Sequence, residues 1–164
     1  IQALYRASQA GVRVKLNIRG ICCLRPGVKG VSNKIEVISI VDRFLEHARI
    51  YYFRNGGNED IYLSSADLMS RNLHKRLETM FPIETPELKL RLKECLDLYF
   101  RDNVKTYRLE ADGRWHAVSP SHPRVRVQEA LYKRACESPS LPSADRMKFI
   151  PVRKKRSCEN GHHF

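Results

Sequence analysis

From Val12 to Leu68 the chain alternates between short runs of period-two hydrophobicity and segments that break or turn them, and this alternation restricts the fold more than any other feature. In VRVKLNI, residues Val12, Val14, Leu16 and Ile18 alternate with polar or charged ones, the pattern of a half-buried strand. KIEVISI reads as a second strand, ARIYYF as a third and IYLSSADL as a fourth, with NGGNED as the turn between the last two. A helix over Ile1 to Ala10, closed by Gly11, precedes them, and VDRFLEH has the spacing of about two helical turns between the second and third strands. Such alternation predicts an α/β sandwich.

The second half continues the pattern. RNLHKRLETMFPI reads as a strand ending at Pro82. TPELKLRLKECLDLYFRD is the clearest helix: Thr85 suits the cap, Pro86 the first helical position, and Leu88, Leu92, Cys95, Leu96 and Tyr99 one apolar face. VKTYRLEADGRWHAV predicts a hairpin about Asp112 and Gly113, and VRVQEALYKRACE a last helix. Residues 1–135 are therefore expected to form the folded domain and 136–164, rich in Pro, Ser and basic residues, a disordered tail.

A length of 164 residues and a hydrophobic content of 42% suffice for one domain with a core. Thirty Lys and Arg against 18 Asp and Glu leave a net charge of +12, which suits a polyanionic partner: nucleic acid, polyphosphate, a phosphorylated ligand or an anionic membrane face. No run approaches the roughly 18 apolar residues that a membrane span needs, and IQALYRASQAG lacks the pattern of a signal peptide, so an intracellular, soluble protein is expected. Opening without Met, directly on a helical pattern, the chain reads as a C-terminal fragment of a longer one. Five cysteines without a CxxC pair indicate neither a disulfide framework nor a four-ligand zinc site. Cys22 and Cys23 are expected to be buried small hydrophobes, and Cys158, His162 and His163 lack a fourth ligand. His74 and His116 are read as surface residues.

His47 stands between VDRFLE and the strand IYYF. Alone, a histidine at such a junction is ordinarily structural; its neighbours give it another reading. Arg49 follows by two, the spacing that puts side chains on one face of a strand, and Ser64, Ser65 and Asp67 arrive from the adjoining strand. An imidazole can attack phosphorus or protonate a leaving oxygen, and a guanidinium can hold two phosphate oxygens. The bland alternative is an Arg49–Asp67 surface ion pair of little energetic weight. RGICCLRPG offers Arg19 and Arg25 with glycines that let backbone N–H groups approach an anion, but no GxxxxGK[ST] is present, which excludes a P-loop kinase.

The segments LNIRGICCLRPGV, ISIVDRFLEHARIYYFRNGG and YLSSADLMSRNL, followed by FPI and a long helix, resemble the C-terminal catalytic domain of bacterial polyphosphate kinases. The likeness runs from Ile1 to about Ala135. It implies an α/β fold of phospholipase D type, a mixed sheet with flanking helices, in which two related catalytic domains meet around the active site. The H-x-K pattern of that superfamily stands here as His47-Ala48-Arg49, and SSADLMSRN occupies the place of a GSxN segment. Leu68 departs from the tryptophan more usual there.

The resemblance further implies a reversible transfer of the ATP γ-phosphate to inorganic polyphosphate, through a phosphohistidine on the preceding domain. His47 would then be catalytic, as acid, base or charge stabiliser, and with Arg19 would contact ATP phosphates; Arg25, Arg49, Ser65, Asp67, Arg71 and Asn72 would support them. Magnesium would be held upstream, so no metal residue carries over. ATP, ADP and polyphosphate are the implied partners, without specific nucleic acid, in a cytoplasmic enzyme that forms a homo-oligomer or joins a membrane-associated complex. The isolated fragment is expected to be inactive. Two other classes fit parts of the sequence: a polyanion-binding module without activity, and a phospholipase D-like phosphodiesterase.

Overall fold

The computed structural model of the protein describes residues 1–137. The expectations for the tail beyond, including Cys158, His162 and His163, lie outside the described residues. Seven strands and four helices follow in the order α1 (Gln2–Gln9), β1 (Val14–Asn17), β2 (Ile35–Ile40), β3 (Arg49–Phe53), β4 (Asp60–Ser64), α2 (Ser70–Lys75), β5 (Met80–Pro82), α3 (Pro86–Tyr99), β6 (Thr106–Leu109), β7 (Trp115–Ala117) and α4 (Val127–Glu137). The expected domain limit at Ala135 falls inside α4.

The strands divide between two sheets. One is mixed, ordered β1-β2-β6-β7, with β1 and β2 parallel and the other pairs antiparallel; the second, β3-β4-β5, is wholly antiparallel. β2 explains the first. It is apolar on both faces, so Ile35 and Val37 pack with Leu24 and Leu109 while Ile38 and Ile40 pack with Leu98 and Val127. Leu4 and Tyr5 of α1 cover the first cluster; Tyr99, Ala130 and Leu131 of α3 and α4 cover the second. A sheet with helices on either side is thus dictated by one doubly buried strand.

The parallel β1–β2 pair is joined by a long loop rather than a helix, and buried side chains stabilise it. Ser32, fully buried, donates to the Arg25 carbonyl at 2.6 Å and accepts from Val28 N at 3.1 Å; Ser8 accepts from Lys34 N. The far end of this loop is held internally, where Arg25 N donates to the Tyr5 hydroxyl, Gly27 N to the Ser32 carbonyl and Val28 N to the Ser32 hydroxyl. Cys22 packs against the core as expected, whereas Cys23 is exposed.

Other local expectations are corrected by the same kind of competition. The stretch 41–48 is irregular, not helical, for reasons given below. RNLHK forms α2 before the short strand β5. Thr85 precedes α3 without a side-chain cap bond; its carbonyl alone accepts from Lys89 N. Leu88 lies at the exposed end of α3, while Leu92, Cys95, Leu96 and Tyr99 are half-buried. The predicted hairpin forms, with Gly113 at φ 87 in its turn and Glu110 N donating to the Arg114 carbonyl. The second sheet packs its Ile61 and Ile83 inward. Lys89 and Lys93 of α3 bind the Glu59 carbonyl and carboxylate in the β3–β4 turn.

Candidate active site

Parallel pairing puts the ends of β1 and β2 side by side, with Ile18 N donating to the Ile38 carbonyl at 2.8 Å. Arg19 leaves the first strand and the segment 41–48 leaves the second at the same edge, the carboxyl end where open α/β sheets commonly bind ligands. There Arg19 Nη1 donates to the carbonyl of Glu46, the residue before His47, at 2.6 Å. Its Nε and Nη2 make no hydrogen bond among the described residues, and the side chain is exposed.

His47 itself is exposed and lies ahead of β3 rather than within it. Arg49, the first residue of that strand, reaches back to it: Nη1 lies 3.0 Å from Nδ1 and donates at 3.0 Å to the His47 carbonyl, while Nη2 lies 3.4 Å from Nε2. The guanidinium therefore runs along the imidazole and holds both ring and backbone. Asp67 in turn holds Arg49, its Oδ1 accepting from Nε at 3.0 Å and Nη2 at 2.9 Å, with the Arg49 side chain only 16% exposed. This is more than the bland surface pair. It is also less than a phosphate fork, since all three guanidinium nitrogens are already engaged.

The register Arg49↔Ser64 explains the meeting, because Asp67 follows Ser64 by three residues around the strand end. The two serines do not join it. Ser64 donates to the Thr79 carbonyl, and Ser65 donates to Glu78 at 2.5 Å and accepts from Thr79 N. Both are bound into the β4–β5 connection, so the expected convergence of hydroxyls on the pocket does not occur. The strand IYYF is half-buried, with Phe53 exposed at its end.

Arg71 is exposed on α2; Asn72 beside it is buried, donates to Glu78 at 3.3 Å and leaves Oδ1 without a partner. Arg25 lies against Gly113 in the hairpin turn. The register Ile38↔Arg108 puts that turn at the amino end of β2, away from Arg19 and the 41–48 segment. Among the described residues no three histidine, cysteine or carboxylate side chains gather as metal ligands.

Comparison with known proteins agrees with this architecture. The family model described as polyphosphate kinase C-terminal domain 2 matches residues 1–128. The chain belongs to the polyphosphate kinase family. Among curated relatives, the polyphosphate kinase of Rhodopirellula baltica is 53% identical over 140 residues, covering 84% of this chain and 16% of the relative. That of Pseudomonas aeruginosa is 58% identical over 121 residues, covering 74% and 18%. The crystal structure of polyphosphate kinase from Porphyromonas gingivalis is 42% identical, with a TM-score of 0.77 over 81% of this chain and 20% of that one. This polyphosphate kinase domain thus spans a fifth or less of the length of these proteins. Its two-sheet α/β fold is of the expected phospholipase D type. No helix among the described residues is long and apolar enough to cross a membrane.

Four residues of the polyphosphate kinase domain that shape the site carried no signal in the sequence. Asp42, 2% exposed in its side chain, accepts from Arg126 Nη2 at 2.6 Å and Nε at 2.8 Å, and these bonds hold its carboxyl below the usual range. Gln128 accepts from Phe44 N, and Tyr99 donates to Glu46. Burial, and then the Glu46 bond, push the Tyr99 phenol far above its ordinary range. Their partners lie 53 to 84 positions away along the chain, beyond the reach of any local pattern.

Proposed function

We propose that this domain supplies one half of the active site of a polyphosphate kinase, which transfers the γ-phosphate of ATP reversibly to inorganic polyphosphate. A preceding domain carries the histidine that is phosphorylated. The observation that supports this reading is the row Arg19, His47, Arg49, Asp67: an exposed imidazole with the Arg49 guanidinium 3.0 Å from its Nδ1, beside a guanidinium with two nitrogens to spare. Phosphoryl transfer demands mainly positioning and positive charge, because charge spreads over the equatorial oxygens in a loose transition state.

In this role Arg19 grips phosphate oxygens through Nε and Nη2. His47 offers a ring whose Nδ1 faces the Arg49 donor, leaving Nε2 to carry the proton that a departing oxygen needs. Arg49 acts as the positioning residue of His47 and Asp67 as that of Arg49. Arg71, Asn72, Ser65 and Arg25 have no such geometry to recommend them beyond the resemblance. Magnesium, if the reaction uses it, belongs to parts of the full-length protein other than these residues. The reaction is placed in the cytoplasm, with ATP, ADP and polyphosphate as partners and a homo-oligomer as the working form; the expected membrane association gains no support from the comparisons.

The test requires full-length enzyme. His47→Gln should abolish most polyphosphate synthesis while leaving the fold intact, and near wild-type synthesis would refute the role. The second reading, a polyanion-binding module, draws on the charge of +12. Isolated domain that binds polyphosphate with steep salt dependence, yet turns over no ATP, would show that binding outlives the separation of the two halves.

A further inference from the structure

We infer that Gln128 and Tyr99 are positioning residues for His47, acting through Glu46; this rests on the role of His47 proposed above. Residues 41–48 form neither helix nor strand, and buried side chains of other elements take up part of their backbone hydrogen bonding. Gln128, 5% exposed in the first turn of α4, does this for Phe44 at both ends: Oε1 accepts from Phe44 N at 2.7 Å and Nε2 donates to the Phe44 carbonyl at 2.8 Å. One buried amide thereby takes the place of the intrahelical bonds that VDRFLEH would otherwise make.

The same Nε2 donates to Glu46 Oε1 at 2.8 Å, and the Tyr99 hydroxyl donates to Glu46 Oε2 at 2.6 Å. The Glu46 carbonyl is the acceptor for Arg19. Both carboxylate oxygens and the carbonyl of the residue before His47 are thus pinned, from α4, α3 and the end of β1. The carbonyl lies in the same rigid peptide plane as His47 N, so fixing it fixes the approach of the chain into His47. Arg49 completes the hold from the other side, at the His47 carbonyl and ring. Among the described residues Arg49 alone hydrogen-bonds the imidazole; Gln128 and Tyr99 set where the backbone delivers it.

The experiment uses full-length enzyme carrying Gln128→Met, which keeps the length of the side chain and removes its amide. A displacement of about 1 Å costs on the order of a hundredfold in rate; kcat for polyphosphate synthesis should fall roughly ten- to hundredfold while KM for ATP stays within about threefold. Introduced into His47→Gln, assayed at enzyme levels that register the residual rate, Gln128→Met should cause no further loss. An undiminished kcat, or an additive loss in the double variant, would overturn the inference. If Gln128→Met fails to fold, Tyr99→Phe, which removes one hydroxyl, decides by the same two readings. Near wild-type activity in His47→Gln alone would instead refute the proposed function, so the two failures are distinguishable.

Discussion

Asp102 offers a severe test of how this domain is held together. Its carboxylate is 5% exposed and receives four donors: Oδ1 takes Val104 N at 3.0 Å, Lys105 N at 2.8 Å and Thr106 Oγ1 at 3.0 Å, and Oδ2 takes Val127 N at 2.7 Å. One side chain therefore shapes the turn into β6 and caps the amino end of α4. Asp102→Ala strands all four. The Thr106 and Val127 donors are buried and each left unsatisfied costs about 1–3 kcal/mol, while water can reach the two half-buried ones and reduce their cost. The two buried donors together make this at least about 2–6 kcal/mol. Asp102→Asn, with its amide oxygen on the three-donor side, loses only the Val127 bond and should cost about 1–3 kcal/mol. Urea unfolding of this chain measures both from the shift in midpoint, provided the slope is unchanged. An Asp102→Ala cost below about 1 kcal/mol, or an Asp102→Asn cost as large as that of alanine, would refute the accounting.

Three further outcomes follow from the same contacts. Asp42 is held below its ordinary pKa by Arg126; its contribution to stability is complete above the unfolded value of about 3.9 and is lost as pH falls through the lower folded value. The gap in thermal midpoint between wild type and Asp42→Asn should thus be constant near neutrality and close in acid. The Tyr99 phenol, raised by burial and Glu46, should not ionise where an ordinary tyrosine of pKa about 10 does. In an ultraviolet titration of the folded protein, Tyr99→Phe should leave the phenolate signal in that range unchanged. Ile61, 1% exposed in the second sheet, should cost about 2–5 kcal/mol on replacement by Ala, read from denaturant unfolding.

What the sequence disclosed depended on the distance over which each feature is specified. The strands were legible because alternation is local, whereas the burial of β2 on both faces emerges only from its packing. Arg49 beside His47 was foreseen from a spacing of two, and Asp67 from its place after the adjoining strand. The division into two sheets was not, because hydrophobic period records which face is buried and says nothing of which strand lies next. The helix expected at VDRFLEH failed for a sharper reason. Its spacing suits a helix, but Asp42, Phe44 and Glu46 find better partners in Arg126, Gln128 and Tyr99, and tertiary bonds in a buried setting outweigh a weak local preference. Ser65 misled in the opposite sense: its type suited a phosphate site, but a local bond to Glu78 claims it.

The clamp of Gln128 on Phe44 bears on the order in which the protein is made. A chain emerging from its amino end presents β1, β2 and His47 long before residue 128, and until then the 41–48 segment lacks the amide that shapes it. The shape of the 41–48 segment is therefore completed by a residue near the end of the described domain. A polypeptide that stopped short of α4 would lack both the amide on Phe44 and Glu46 and the Val127 side chain that packs on β2. The path of the chain into His47 is thus set by contacts that form only when the fold is nearly finished.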